Sequence, residues 1–201
     1  MLRETEALQI IKEKLSYKRF QHSLNVAQTA RELAEHYNVD ANKSYLVGIL
    51  HDYAKDLTAD ELLLIAETQR LIGDNIERQV PDLLHASVGA YLLEKDLEIR
   101  DTEIIEAVRA HTLGSLNMGA IDKIIFLADM IEPSRDMYPD LERLRQLSRQ
   151  DLDMAMLLGL ESTIRYCLDR GMLLHPRTVE VRNRFLQNLK DRGLERQLYG
   201  A

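Results

Sequence analysis

Six side chains in this sequence have the types and spacing for metal-assisted chemistry: His22, His51, Asp52, His85, His111 and Asp129. His22 lies four residues before Val26, and His51 follows Val47 by four and precedes Ala54 by three. His85 precedes Val88 by three and Leu92 by seven. His111 follows Val108 by three and Ile104 by seven, and Asp129 follows Ile125 by four and Ile121 by eight. At 3.6 residues per helical turn, these offsets put five of the six on apolar, inward faces, with Asp52 one residue round from His51. A single inward histidine is usually a satisfied core residue, and a lone His-Asp dipeptide says little. Four imidazoles and two carboxylates together are harder to place, because a buried carboxylate is costly unless it is paired or bound to a cation. No matching set of Lys or Arg stands at inward positions. The pattern therefore predicts a divalent metal on mixed nitrogen and oxygen donors, with positions left open for water, which is a catalytic rather than a structural type of site.

Composition narrows the chemistry further. The chain has 201 residues, with 26 Lys and Arg against 33 Asp and Glu, a net charge of −7, one cysteine and no tryptophan. The single Cys167 excludes disulfides and zinc sites built on paired thiolates, and its helical setting reads as a small core residue rather than a nucleophile. An acidic balance without a Lys/Arg block argues against nucleic acid as partner. The runs LVGIL, LLLIA and IIFLA are about a quarter of a membrane span, so no membrane association is expected. The opening MLRETEALQI has acidic residues where a signal peptide needs an apolar stretch, and a cytoplasmic location is expected. Phosphate-binding glycine loops, dinucleotide fingerprints, G-x-S-x-G elbows and H-E-x-x-H pairs do not occur.

The elements that must position these side chains are helical. Few Pro and Gly, and many Leu, Ala, Glu, Arg and Lys, predict an all-α fold: one helical domain over 1–201, with a core of about 18–135 and C-terminal helices of about 138–195. Helices are expected over Lys18–His36, over Ala41–Ala54 with Asp40 as N-cap, and over Leu62–Ile65 behind the TADE capping box that opens at Thr58. Others are expected from Asp82 to about Lys95, over Thr102–His111 capped by Asp101 and ended by Gly114, and over Gly119–Ile131, closed by Pro133. The segments Met154–Leu168 and Arg177–Leu189 complete the set.

The order His22, His51-Asp52, Asp129 is the H…HD…D pattern of HD-domain metal-dependent phosphohydrolases. The stretches RFQHSLNVAQTA, GILHDYAKDLT, LLHASVGAYLL, AHTLGSLNMGAIDKIIFLADMIEPSR and LLHPRTVEVRN together resemble the bacterial YqeK proteins, over about residues 10 to 190. The resemblance implies an HD-domain helical bundle that splits diadenosine tetraphosphate, and related dinucleoside polyphosphates, into two ADP by attack of a metal-activated water. It implies iron as the metal, replaceable by manganese or another divalent ion, on His22, His51, Asp52 and Asp129. His85 and His111 would contact substrate phosphates, or else hold a second metal. Asp52, His85, His111 and Asp129 form the catalytic set, with the choice of base between Asp52 and Asp129 left open. A homodimer is also expected, with Met137 and Tyr138 of the proline loop as exposed apolar contacts.

Cations near these residues suit a polyphosphate. Lys55 stands four residues after His51, Arg135 follows Asp129 by six, and Arg19 lies one turn before His22; all three are candidate phosphate contacts. Thr112 and Gly114 offer a hydroxyl and a close backbone approach, and His175 either packs on a base or ribose or simply ends a loop. Lys123 reads as a structural ion pair and His36 as solvent-exposed. The competing readings are another HD phosphohydrolase, acting on a nucleoside monophosphate or a guanosine alarmone, a nucleotide-binding regulatory module, and a helical interaction protein.

Overall fold

The computed structural model describes residues 2–194 and residue 199. Among them are eleven α-helices, one 3-10 turn and no strand, as the composition predicts. The helices are α1 Glu4–Lys14, α2 Tyr17–His36, α3 Ala41–Leu50, α4 Ala59–Thr68, α5 Asn75–Gln79, α6 His85–Asp96, α7 Thr102–Ala110, α8 Ala120–Ile131, α9 Leu141–Leu147, α10 Leu152–Asp169 and α11 Pro176–Asp191. No helix among the described residues is long and apolar enough to cross a membrane. Helix α11 ends at Asp191, and the expected helical limit at about residue 195 lies outside the described residues.

Capping chemistry sets many of the boundaries. Asp40 accepts from the Lys43 amide at the start of α3, Asp101 accepts from the Glu103 amide at the start of α7, and Thr58 with Glu61 closes a capping box on α4. The centre of the bundle is α3 and α8, whose sequences ANKSYLVGIL and AIDKIIFLADMI are apolar nearly all round and therefore need cover on every side. Helix α2 lies against α3 at very short range: a Cβ on Gly48 would stand 2.5 Å from the Cα of Ala27. Helices α2, α7 and α10 pack around α8, α6 lies on α7, and α11 lies on α10.

Four expectations need correction. Helix α3 stops at Leu50 instead of Ala54, because the following residues close successive three-residue turns, Tyr53 to Leu50 and Lys55 to Asp52, rather than helical ones. The helix expected from Asp82 divides into a 3-10 turn, Pro81–Leu84, and α6 starting at His85. Cys167 is half-buried, not in the core, since the C-terminal part of α10 leaves Tyr166 and Leu168 in solvent. Tyr138 is also half-buried, with its hydroxyl donating to the Met130 carbonyl, whereas Met137 is 78% exposed. Helices α1, α5 and α9 carried no sequence expectation. Lys123 does pair with Asp153, at 2.7 Å, and His36 is exposed, its Nε2 2.7 Å from the Arg149 carbonyl.

Candidate metal centre

The six side chains come together although they arrive from five places in the chain. His22 projects from α2 and Asp129 from α8. His51 is the C-cap of α3, with Asp52 next to it, His85 is the first residue of α6, and His111 is the C-cap of α7. The carboxyl ends of α3 and α7 thus point at one spot. Their unsatisfied carbonyls and dipoles favour positive charge there.

Three of the four rings are oriented by one local device. His51 Nδ1 lies 2.8 Å from the Gly48 carbonyl and His111 Nδ1 2.7 Å from the Val108 carbonyl, and His85 Nδ1 meets the Asp82 carbonyl, each three residues earlier. A carbonyl only accepts, so Nδ1 carries the proton and Nε2 presents its lone pair. Lys55 Nζ lies 3.2 Å from His85 Nδ1, but the carbonyl is closer and sets that tautomer. His22 is held by a carboxylate instead, with its Nδ1 3.1 Å from Glu132 Oε1.

All four Nε2 atoms face the two aspartates. Asp129 Oδ1 is 2.9 Å from His22 Nε2 and 3.9 Å from His51 Nε2. Asp52 Oδ2 is 3.6 Å from His51 Nε2 and 4.0 Å from His22 Nε2, while its Oδ1 is 3.5 Å from His85 Nε2 and 3.7 Å from His111 Nε2. Two overlapping triads result, His22–His51–Asp129 and His51–Asp52–His111, each with donor atoms within 4.8 Å of one another. His51 is completely buried and its Nε2 has no hydrogen-bond partner. An orphaned ring nitrogen among carboxylates fits a divalent ion on imidazole and carboxylate donors.

The ionisation states suit that reading. Burial pushes His51 down to about 4 and His85 down to about 3, so both rings are neutral at pH 7. Burial also works to raise Asp52 and Asp129, but it is outweighed. His51, His111 and His85 hold Asp52 well below the usual carboxylate range, and the His22 hydrogen bond with the Arg135 charge does the same for Asp129. Burial alone would lower His22, yet its hydrogen bond to Asp129 raises it.

A cavity of about 220 Å³ opens onto the cluster, and Arg19, Lys55, Thr112 and Arg135 line it together with His22, Asp52, His85, His111 and Asp129. The basic residues are not idle. Arg135 donates to both the carbonyl and the carboxylate of Asp129, Arg19 is 3.6 Å from Asp52 and from Asp56, and Lys55 is 2.8 Å from Asp82. Arg135 and Arg19 meet the two carboxylates from the partly exposed mouth, from a loop and from a helix start, and not from inward helical positions.

Gly114 and His175 stand elsewhere. Both line a neighbouring cavity of about 430 Å³, which shares Thr112 with the first. Gly114 has φ +74°, and a Cβ there would lie 2.9 Å from Val181, so the close approach it permits is to α11. Two residues went unread in the sequence. Asp82 anchors Lys55, and Glu132, 1% exposed, anchors His22 while Ser134 donates to it from backbone and hydroxyl. The signal for Glu132 was its place before Pro133, which imposes an extended backbone and turns the side chain back towards α2.

Comparison with known proteins agrees with this geometry. The HD domain family matches residues 19–134. The chain is 37% identical to the symmetrical bis(5'-nucleosyl)-tetraphosphatase of Halalkalibacterium halodurans, over 92% of this chain and 98% of that one. It is 34% identical to the enzyme of the same name from Bacillus subtilis, over 86% and 92%. A crystal structure described as a predicted HD superfamily hydrolase involved in NAD metabolism, from Clostridium acetobutylicum, superposes with a TM-score of 0.88 at 33% identity, over 94% of this chain and 99% of that one. The motif resemblance and the bundle converge, and the chain belongs to the HD-domain family, in the YqeK group of symmetrical bis(5'-nucleosyl)-tetraphosphatases.

Proposed function

We infer that this protein hydrolyses diadenosine tetraphosphate and related dinucleoside polyphosphates at the central anhydride, giving two nucleoside diphosphates. One observation carries the hydrolytic part: the buried, unpartnered Nε2 of His51 faces two carboxylates beneath a mouth lined by Arg19, Lys55 and Arg135. The names of the relatives supply the substrate class.

His22, His51, Asp52 and Asp129 are the proposed metal ligands, and iron is the proposed ion, with manganese or another divalent ion as substitute. When bound, such an ion offsets phosphate charge and lowers the pKa of a coordinated water towards about 7. The chain's own residues do the rest. Asp52 and Asp129 are ionised at neutral pH and each can accept a hydrogen bond from the attacking water. Lys55 and Arg19 meet the phosphate oxygens at the mouth. Arg135 shares Asp129 Oδ1 with His22, so an ion held by Asp129 would compete with the guanidinium, which would then be free to meet phosphate. Thr112, whose hydroxyl lies 3.1 Å from His85 Nε2, borders the same space. The water oxygen joins one central phosphorus, the bridging oxygen leaves with the other nucleotide, and a proton is released.

A second ion on His85 and His111 is favoured over simple phosphate contact by one observation. Asp52 turns Oδ2 towards His51 and His22 and Oδ1 towards His85 and His111, so one carboxylate could serve both sets of rings. The proposed unit is the whole chain as one domain in the cytoplasm, with residues 18–135 carrying the site and α10 packed on α8. A homodimer is proposed, with the exposed Met137 among its contacts. Chromatography of products from diadenosine tetraphosphate and added divalent metal tests the activity. ADP alone is expected; AMP with ATP would contradict the symmetrical cleavage.

A further inference from the structure

Helices α3 and α7 run parallel, and each ends on a histidine of the metal centre. His51 and His111 cap their carboxyl ends, with ring centroids 5.0 Å apart and planes nearly perpendicular. Eight residues before each histidine the two helices meet again. Lys43 Nζ lies 2.9 Å from Asp101 Oδ2 and also donates to Glu103 Oε2. Both intervals, Lys43 to His51 and Glu103 to His111, rise about 12 Å at the usual helical pitch. The two helices are thus struts of one length, tied by an ion pair at one end and presenting two rings to one site at the other.

Midway along the two rows stand Val47 and Ala107, both fully buried. The methyl group of Ala107 is too small to form a ridge that stops one helix sliding along the other. Helix α3 is itself held by α2, at the close approach of Gly48 to Ala27, so a slip along this seam would fall on α7. Local helix stability does not account for Lys43. It stands in the first turn of α3, where a cation opposes the helix dipole. Across the seam it meets Asp101, the N-cap of α7, and the first-turn Glu103, both placed as the dipole of α7 favours. Asp101 caps the Glu103 amide with Oδ1 and gives Oδ2 to Lys43, so a single carboxylate both starts α7 and ties it to α3.

We propose that Lys43 is a positioning residue for the hydrolysis: its tie to Asp101 and Glu103 sets the height of α7 on α3, and through it the place of His111 Nε2 beside His51 and Asp52. The assignment rests on the hydrolytic reading above, and adds a residue two helical turns from the metal centre on which the geometry of that centre depends. A displacement of about 1 Å at the reacting groups, even one caused far away, can cost about a hundredfold in rate. A partly exposed ion pair contributes little to stability, so rate and stability separate at this residue.

Steady-state kinetics of the metal-loaded protein on diadenosine tetraphosphate test it. Lys43→Met, which keeps most of the aliphatic stem, should lower kcat about tenfold and leave KM within about twofold. Its melting temperature should stay within about 4 °C of wild type. Lys43→Arg should retain the wild-type rate. Asp101→Asn combined with Glu103→Gln keeps the α7 cap and should repeat the loss from the other helix. In a His111→Asn background Lys43→Met should cost less than about twofold, because it acts through that ring. Unchanged kcat in Lys43→Met, or a loss of about tenfold that persists without His111, overturns the proposal. If Lys43→Met does not fold, the α7 variants decide by the same two criteria. A wild type that releases no ADP removes the hydrolytic reading instead. The same cycle is then read on the Kd of inorganic pyrophosphate, where coupling between Lys43 and His111 supports the tie and strict additivity overturns it.

Discussion

His85 and His111 meet Nε2 to Nε2 at 3.0 Å, although each ring already directs its Nδ1–H at a carbonyl three residues earlier. Two lone pairs at that distance repel, the Thr112 hydroxyl reaches only the His85 nitrogen, and a cation between or beside them would remove the repulsion. Added divalent metal is therefore expected to stabilise the fold. At about a hundred times Kd the gain is about 2.7 kcal/mol, read as a rise in Tm that a chelator reverses. No shift with any divalent ion would count against a metal on these rings.

Glu132 orients His22 from behind, and such partners typically matter about 10- to 100-fold for metal affinity. Glu132→Ala should weaken metal binding by that factor in a competition titration while leaving His51, Asp52 and Asp129 in place. Unchanged affinity would mean that the α2 backbone alone holds the ring.

The proposed mechanism gives Arg135 two opposed parts. Arg135→Ala removes a competitor from Asp129 Oδ1, so metal affinity should rise slightly, while kcat/KM should fall about 10- to 100-fold with the loss of a charge-assisted phosphate contact. A fall in both quantities would make Arg135 a structural partner of Asp129 only.

Acid should destabilise the metal-free protein in two stages. His51 and His85 have folded pKa values lowered to about 4 and about 3, so between about pH 6.5 and 4 the unfolded chain takes up protons that the folded one refuses, and stability falls with pH. Below about 3.9, Asp52 and Asp129, whose pKa values are lowered in the fold, add a further loss as the unfolded carboxylates protonate first. His22 acts in the opposite sense. Its raised pKa gives stability that is complete below about 6.5 and fades as pH rises through the folded value. Urea midpoints at pH 7 and pH 4.5 check the balance, and the lower pH should give the lower midpoint because two buried rings outweigh one.

Glycines 48 and 89 should behave differently under substitution by alanine. At Gly48 the new Cβ would strike the Ala27 backbone at 2.5 and 2.8 Å, forcing α2 from α3 and disturbing the His51 turn, so a loss of at least 1–3 kcal/mol is expected by about the usual cost of overpacking. At Gly89 its nearest neighbours are at 3.7 Å, and helix propensity makes the change neutral or stabilising by up to about 1 kcal/mol. Thermal melts of the two variants distinguish them directly.

The inward histidines and aspartates were legible in the sequence because five of them sit on or at the ends of helices whose apolar partners repeat at three, four and seven residues. Caps at Asp40, Thr58 and Asp101 were legible for the same local reason. Helices α5 and α9, of five and seven residues, were not, since so short a segment carries too few apolar positions to show a period. The break at Leu50 was hidden because His51 keeps helical backbone angles and only the hydrogen bonds beyond it shorten. Lys55 reaches the cavity from a turn rather than along a helical face, held there by Asp82, a pairing set by the 3-10 turn at Pro81. Glu132 and the His175–Glu77 pair depend on tertiary approach between segments far apart in the chain, which spacing does not encode.

The central claim is that a metal centred on His51 performs the hydrolysis. Elemental analysis of purified wild type and His51→Ala, each assayed for ADP release from diadenosine tetraphosphate, tests it most directly. The wild type should carry stoichiometric divalent metal and turn over, and the variant should lose both metal and turnover while remaining folded by circular dichroism. A metal-free His51→Ala protein that still releases ADP at the wild-type rate would contradict the claim.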